Sequence, residues 1–131
     1  MPLRPPQALV ALALLLGACG SLPTILESDI PVPEGMQTIR SADIRRAGGE
    51  VVGGRFLLSG VVPDARDTVR STSARFESAG WTVESSELGL DHAAAEFAKG
   101  ARRVRLVVDR RALEPAMSSG LIEVRAASSA P

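Results

Sequence analysis

The chain has 131 residues, with 15 basic and 15 acidic side chains and a formal net charge of zero. That balance excludes broad electrostatic binding to nucleic acid. Aromatic residues make up only 3%, which leaves little for the stacking platforms that bind single strands and sugars. A single cysteine excludes an internal disulfide, so any folded domain must be stable through ordinary packing.

The N-terminus opens with a short polar stretch carrying one positive charge, Arg4, followed by the apolar run "ALVALALLL" from Ala8 to Leu16. Small residues, Gly17 and Ala18, close it. A basic start, a short apolar middle and a small-residue exit predict a secretory signal peptide over residues 1–18. The run is too short for a comfortable bilayer span, which takes roughly 20 apolar residues.

Cys19, the only cysteine, follows directly. Its flanks are a signal peptide and a proline-containing segment, not a folded core. A catalytic cysteine needs a base and an electropositive setting, and no local motif pairs Cys19 with the sole histidine, His92. Leu16-Gly17-Ala18-Cys19 resembles the lipobox of bacterial lipoprotein precursors. The resemblance implies a thioether-linked diacylglycerol on Cys19, cleavage just before it and acylation of the new N-terminus. Two or more acyl chains give stable anchoring where one does not. In such lipoproteins the residue after the cysteine influences sorting, and aspartate there favours the inner membrane. Gly20 therefore implies the outer membrane, with the domain facing the periplasm.

Residues 19–35 are expected to form a tether. Pro23, Pro31 and Pro33 disfavour helix and central strand and favour an extended chain. At about 3.1 Å per residue the segment would span roughly 50 Å. Ile25, Leu26 and Ile30 are more apolar than a plain linker requires, which points to some packing on the domain or the membrane surface.

The folded domain is predicted over residues 36–126. Met36 to Gly49 alternates weakly, like a strand. Gly48-Gly49 and Gly53-Gly54 bracket Glu50, Val51 and Val52 as turn signals. "RFLLSGVV", residues 55–62, reads as the firmer strand of a hairpin, with Phe56, Leu58, Gly60 and Val62 on one face. A helix over about 64–79 follows. Asp64 is its N-cap, with Asp67 three residues on in a variant capping box. Ala65, Val69, Thr72 and Phe76 share one side, and Gly80 supplies the C-terminal cap.

Trp81 and Val83 begin the next strand, and Gly89 lies in a turn. His92 to Ala98 places Ala93, Ala95 and Phe97 on one face. Lys99 to Arg102 reads as a tight turn around Gly100. "VRLVV" then puts Val104, Leu106 and Val108 inside and Arg103 and Arg105 outside. A loop from Arg110 to Gly120 leads to a last short strand, Leu121 to Arg125. Residues 127–131 are expected to be a disordered tail. The fold class is α+β: an antiparallel sheet of about five to six strands packed on one helix, in β-β-α-β-β-β order with a further strand at the end. Val69 and Phe76 are expected to meet Phe56, Leu58, Val104 and Leu106.

Gly80, Trp81, Phe97, Lys99 and Gly100 resemble, in type and spacing, positions of small periplasmic lipoprotein domains of uncharacterised role. These are fold-making residues, and the likeness carries no function with it.

Residues suited to catalysis or metal binding are few. His92 lacks further metal ligands at suitable spacing, and Asp91 beside it points to the opposite strand face. Ser71, Ser73, Ser78, Ser85 and Ser86 lack a nucleophile elbow. "GGEVVGG" matches neither a phosphate loop nor a dinucleotide fingerprint. Glu84 and Glu87 sit near a turn, with no sign of a cleft between carboxylates. Arg103 and Arg105 share a strand face and form the one candidate interaction patch, suited to anionic headgroups or an acidic partner. The plainer reading is a solvated face balanced by Glu96 across the hairpin.

These features predict a non-catalytic, membrane-anchored envelope lipoprotein without cofactor or metal, which binds an envelope partner or supports local structure. The alternative is a domain that binds a small molecule or lipid in a groove between helix and sheet. An enzyme is the third and weakest reading.

Overall fold

The computed structural model describes residues 22–127. The lipobox and Cys19 lie outside the described residues, as do residues 128–131 of the expected tail.

Six strands and one helix make the domain: β1 (Met36–Ala47), β2 (Glu50–Gly60), α1 (Ala65–Ser78), β3 (Thr82–Leu88), β4 (His92–Lys99), β5 (Arg102–Asp109) and β6 (Ser118–Ala126). They form one antiparallel sheet in the order β1-β2-β6-β5-β4-β3. The α+β class and the single covering helix agree with the sequence reading, and four strands follow the helix. Because β2 is interior and β3 is the far edge, α1 must cross a sheet face to join them. It packs on β3, β4 and β5 as it does so.

Local signals start and stop that helix. The Asp64 carboxylate accepts hydrogen bonds from the backbone N–H groups of Arg66 (2.9 Å) and Asp67 (3.4 Å), satisfying two donors that a helix start leaves unpaired. Gly80, at φ +96°, turns the chain out of the helix, a conformation costly for any residue with a Cβ. Ala65, Val69, Thr72 and Phe76 are fully buried. The Thr72 hydroxyl donates to the Thr68 carbonyl at 2.7 Å, so its burial leaves no unmet polar group.

Strand periodicity supplies the other half of the core. In register, Phe56, Ile122, Leu106 and Ala95 lie side by side across β2, β6, β5 and β4, all on the helix side and all buried. Phe76 stacks on Phe97 with parallel rings 3.9 Å apart and meets Trp81 edge-on at 5.7 Å. Val69 and Phe76 join the same cluster as Phe56, Leu58, Val104 and Leu106, as expected.

Two expectations need correction. Gly53-Gly54 is not a turn: β2 begins at Glu50 and runs through both glycines. The hairpin turn is Gly48-Gly49 alone, at φ +58° and +82°, between the paired Ala47 and Glu50. A two-residue loop with both residues left-handed matches the twist of the flanking strands. Gly54 is needed for close approach instead, since a Cβ there would sit 3.0 Å from the Phe56 ring.

The second correction concerns the tether. Residues 22–35 are seated on the domain. Thr24 bridges to Pro31, the Ile25 N–H donates to the Ile30 carbonyl at 2.8 Å, and the Val32 N–H donates to the Pro23 carbonyl at 3.1 Å. Ile25, Ile30 and Val32 are buried within the core cluster. The segment forms no α-helix and no named strand, only a short 3-10 turn at Ile25–Glu27 and the single Thr24–Pro31 bridge, and its apolar residues find a receiving surface onto which the chain folds back.

Candidate functional site

The sheet has one face under the helix and, among the described residues, one left open. Its side chains form rows set by register. Arg55, Glu123, Arg105 and Glu96 stand directly opposite one another across β2, β6, β5 and β4. The next row is Leu57, Leu121, Val107 and Ala94, and the one after it is Ser59, Ser119, Asp109 and His92. Alternating charges opposite one another are the favourable arrangement for a sheet face.

Arg103 and Arg105 do share this open face. They do not form an uncompensated basic patch. Arg103 Nε lies 3.2 Å from Glu84 Oε1. Arg105 stands between Glu96 and Glu123 in register, and Arg125 also reaches Glu96 at 3.4 Å. Glu96 is visible from the hairpin sequence as a partner. Glu84 is not, because it reaches Arg103 from β3, across the intervening β4. Exposed pairs of this kind contribute about 0–1 kcal/mol each, so the face is neutral and solvated.

His92 is exposed, with Nδ1 2.6 Å from Asp109 Oδ1 directly across the β4–β5 pair. Asp91 instead pairs with Arg110 at 2.9 Å. Among the described residues there is no group of three or more His, Cys, Asp or Glu side chains placed to hold a metal ion.

The most developed polar constellation lies at the end of the domain that receives residues 22–35. Arg102 is buried, and its guanidinium grips Asp29 with two nitrogens, at 2.6 and 3.0 Å. It also reaches Glu50 at 3.2 Å and the Val51 carbonyl at 3.3 Å, and it lies over the Trp81 ring at 4.8 Å. Lys99 donates to Asp29 and to the Ala79 carbonyl at the helix end, both at 2.7 Å. The Trp81 indole N–H donates to the Asp29 carbonyl at 2.9 Å. The Arg102 hydrogen bond holds the Asp29 carboxyl down at about 2; burial opposes this and Lys99 assists it. Reciprocally, Asp29 raises the Arg102 pKa above its ordinary value.

The one lysine and the one tryptophan of the chain therefore meet the same aspartate. Both were legible as fold-making positions; their partner was not, since it sits in the supposed tether. Arg75, on the helix, completes the attachment by donating to the Val32 carbonyl at 2.7 Å and the Pro23 carbonyl at 2.9 Å. The constellation is internally satisfied and offers no free nucleophile or base. Chemically it is a clamp.

The helix–sheet interior is filled by Phe76, Phe97, Val69 and their neighbours. A depression of about 440 Å³ lies beside the helix start, open to solvent and lined by Glu34, Val61, Pro63, Asp64 and Thr68 among others. Smaller hollows on the open face, of about 200 and 250 Å³, are lined by Ser85, Glu96 and Arg105 and by Arg40, Arg55, Leu57 and Leu121. No helix among the described residues is long and apolar enough to cross a membrane.

No protein-family model matches the chain, and comparisons with curated proteins and with solved structures give no significant match.

Proposed function

We propose that the chain is a bacterial lipoprotein, anchored through acyl chains on Cys19, whose small domain serves a non-catalytic binding or structural role in the cell envelope. The observation that carries this reading is the order of the first residues: one positive charge, a short apolar run, then Leu16-Gly17-Ala18-Cys19. The domain is compatible with it. Its open face is charge-balanced and carries only small hollows of about 200 and 250 Å³, which suits contact with another macromolecule better than turnover of a small substrate. The groove-binding alternative is not favoured, because side chains fill the space between helix and sheet. The lipobox resemblance, with Gly20 in place of aspartate, makes the outer membrane the proposed destination and a protein of the envelope the proposed partner.

Labelling cells with a clickable fatty acid tests the anchor. The native protein should take up label and Cys19→Ser should not. Equal labelling of the two would contradict the proposal. Density-gradient fractionation tests the destination separately: native protein should travel with outer-membrane markers and Gly20→Asp should shift towards the inner membrane. Native protein wholly in the inner membrane would refute the destination alone.

A further inference from the structure

Clamping residues 22–35 to the domain leaves very little chain between the anchor and the fold. From Cys19 to Leu22 there are three residue steps, which in any conformation reach at most about 11 Å. An acylated Cys19 lies at the headgroup level of the bilayer. The domain surface around Leu22 must then lie close to that level.

That surface carries two exposed leucines next to the anchor. Leu22 is 59% exposed and Leu26 42% exposed, although Ile25 beside them is buried. Leu26 and Glu27 both adopt left-handed backbone conformations, at φ +48° and +57°. Such conformations are costly for residues with a Cβ, and bulky side chains rarely adopt them. The strain holds a leucine outward at the tip of a loop, where burial in the domain would be the ordinary choice. Arg46, from the β1–β2 hairpin, reaches the Leu26 carbonyl at 3.4 Å. With exposed Glu27 adjacent, the local charge is balanced, so attraction to a surface rests on the leucines.

We infer that this end of the domain docks on the bilayer itself, with Leu22 and Leu26 entering the boundary between headgroups and acyl chains. The domain then sits flush on the membrane rather than at the end of a spacer, and the opposite end points into the aqueous space. β5 sets the scale: it starts at Arg102 in the clamp and ends seven residues later at Asp109, about 23 Å away at ordinary strand rise. Leu113, 96% exposed, follows that far end. The inference rests on acylation of Cys19.

The test uses the full, mature lipidated protein reconstituted in phosphatidylethanolamine–phosphatidylglycerol vesicles. Acylation consumes the only native thiol, so Leu22→Cys, Leu26→Cys and Leu113→Cys each offer one free thiol for an environment-sensitive fluorophore. These side chains are exposed, so none of the three changes removes core packing. Fluorophores at 22 and 26 should be quenched by a lipid carrying a nitroxide near its headgroup and shielded from aqueous iodide; the one at 113 should show the reverse. Equal access of iodide to all three would overturn the docking, and acyl chains found on Cys19 of the same samples by mass spectrometry would leave the anchor standing. Shielding at 22 and 26 from iodide without quenching by the lipid nitroxide would mean that protein covers them, and would also overturn it. Absence of acyl chains on Cys19 would remove both the anchor and the docking.

Discussion

Arg102 and Asp29 are 73 residues apart in sequence and meet through two hydrogen bonds, the shorter 2.6 Å. This pair fastens the N-terminal segment to the β4–β5 turn. The guanidinium is almost wholly buried, while the carboxylate keeps some contact with solvent. Burial gives the pair its leverage, because a buried charge that loses its partner is strongly destabilising.

Asp29→Ala should therefore lower the stability of the domain by about 3 kcal/mol, the low end of the range for a broken buried pair, since Glu50 still faces Arg102. Chemical denaturation measures the loss. Limited proteolysis of the same variant should cut first within residues 22–35, because Lys99, Arg102 and Trp81 all lose their Asp29 contacts or the geometry that holds them. Unchanged protection of that segment would show that apolar burial of Ile25, Ile30 and Val32 holds it unaided.

The clamp also makes stability depend on pH in a defined window. Asp29 titrates at about 2 in the folded protein, below its ordinary 3.8, chiefly through Arg102. A depressed carboxyl pKa stabilises the fold fully above the unfolded value, and the gain disappears as pH falls through the folded one. The contribution of Asp29 should thus hold from neutrality to about pH 4 and be lost between about pH 4 and 2. Solvent screening at this partly exposed group limits it to on the order of 1–2 kcal/mol. Denaturation midpoints measured across this window should fall more steeply for the native protein than for Asp29→Asn, and parallel curves would contradict the assignment.

Phe76 tests the helix register. It is fully buried between Phe97 and Trp81. Phe76→Ala should cost about 3–5 kcal/mol through lost burial and the cavity left behind, a large share of the margin of a domain this size. The urea denaturation midpoint should drop accordingly, whereas Arg70→Ala on the solvent side of the same helix should leave it nearly unchanged.

How much of this was legible depended on whether the cause was local. Asp64, the spacing of Val69, Thr72 and Phe76, and Gly80 lie within one helix, and they specify it together. The alternation in "VRLVV" marks β5 with its buried and open faces in the same way. Gly53-Gly54 was ambiguous because a glycine pair serves a turn and a close approach equally well, and the Phe56 ring that decides between them takes its place only on folding. The prolines of residues 19–35 indicated an extended chain, but the described part folds back on itself through a turn at Ile25–Glu27, with Thr24 bridging to Pro31. Whether an extended chain hangs free or packs depends on Trp81, Lys99 and Arg102, which no neighbouring residue announces. Glu84 became a partner of Arg103 across β4, a neighbourhood set by strand order and not by nearby sequence. The open face could be placed from periodicity, but its charge ladder needed β2 beside β6, a pairing between distant strands.

The central claim is that Cys19 is the lipid-bearing N-terminus of the mature protein. Mass spectrometry of the N-terminal peptide, from protein purified out of its native membrane, measures this directly. The account predicts a peptide that begins at Cys19 and carries a diacylglycerol on sulfur, with a further acyl chain on the new amino group. A mature protein that begins at any other residue, or that keeps Cys19 as a free thiol, would contradict it.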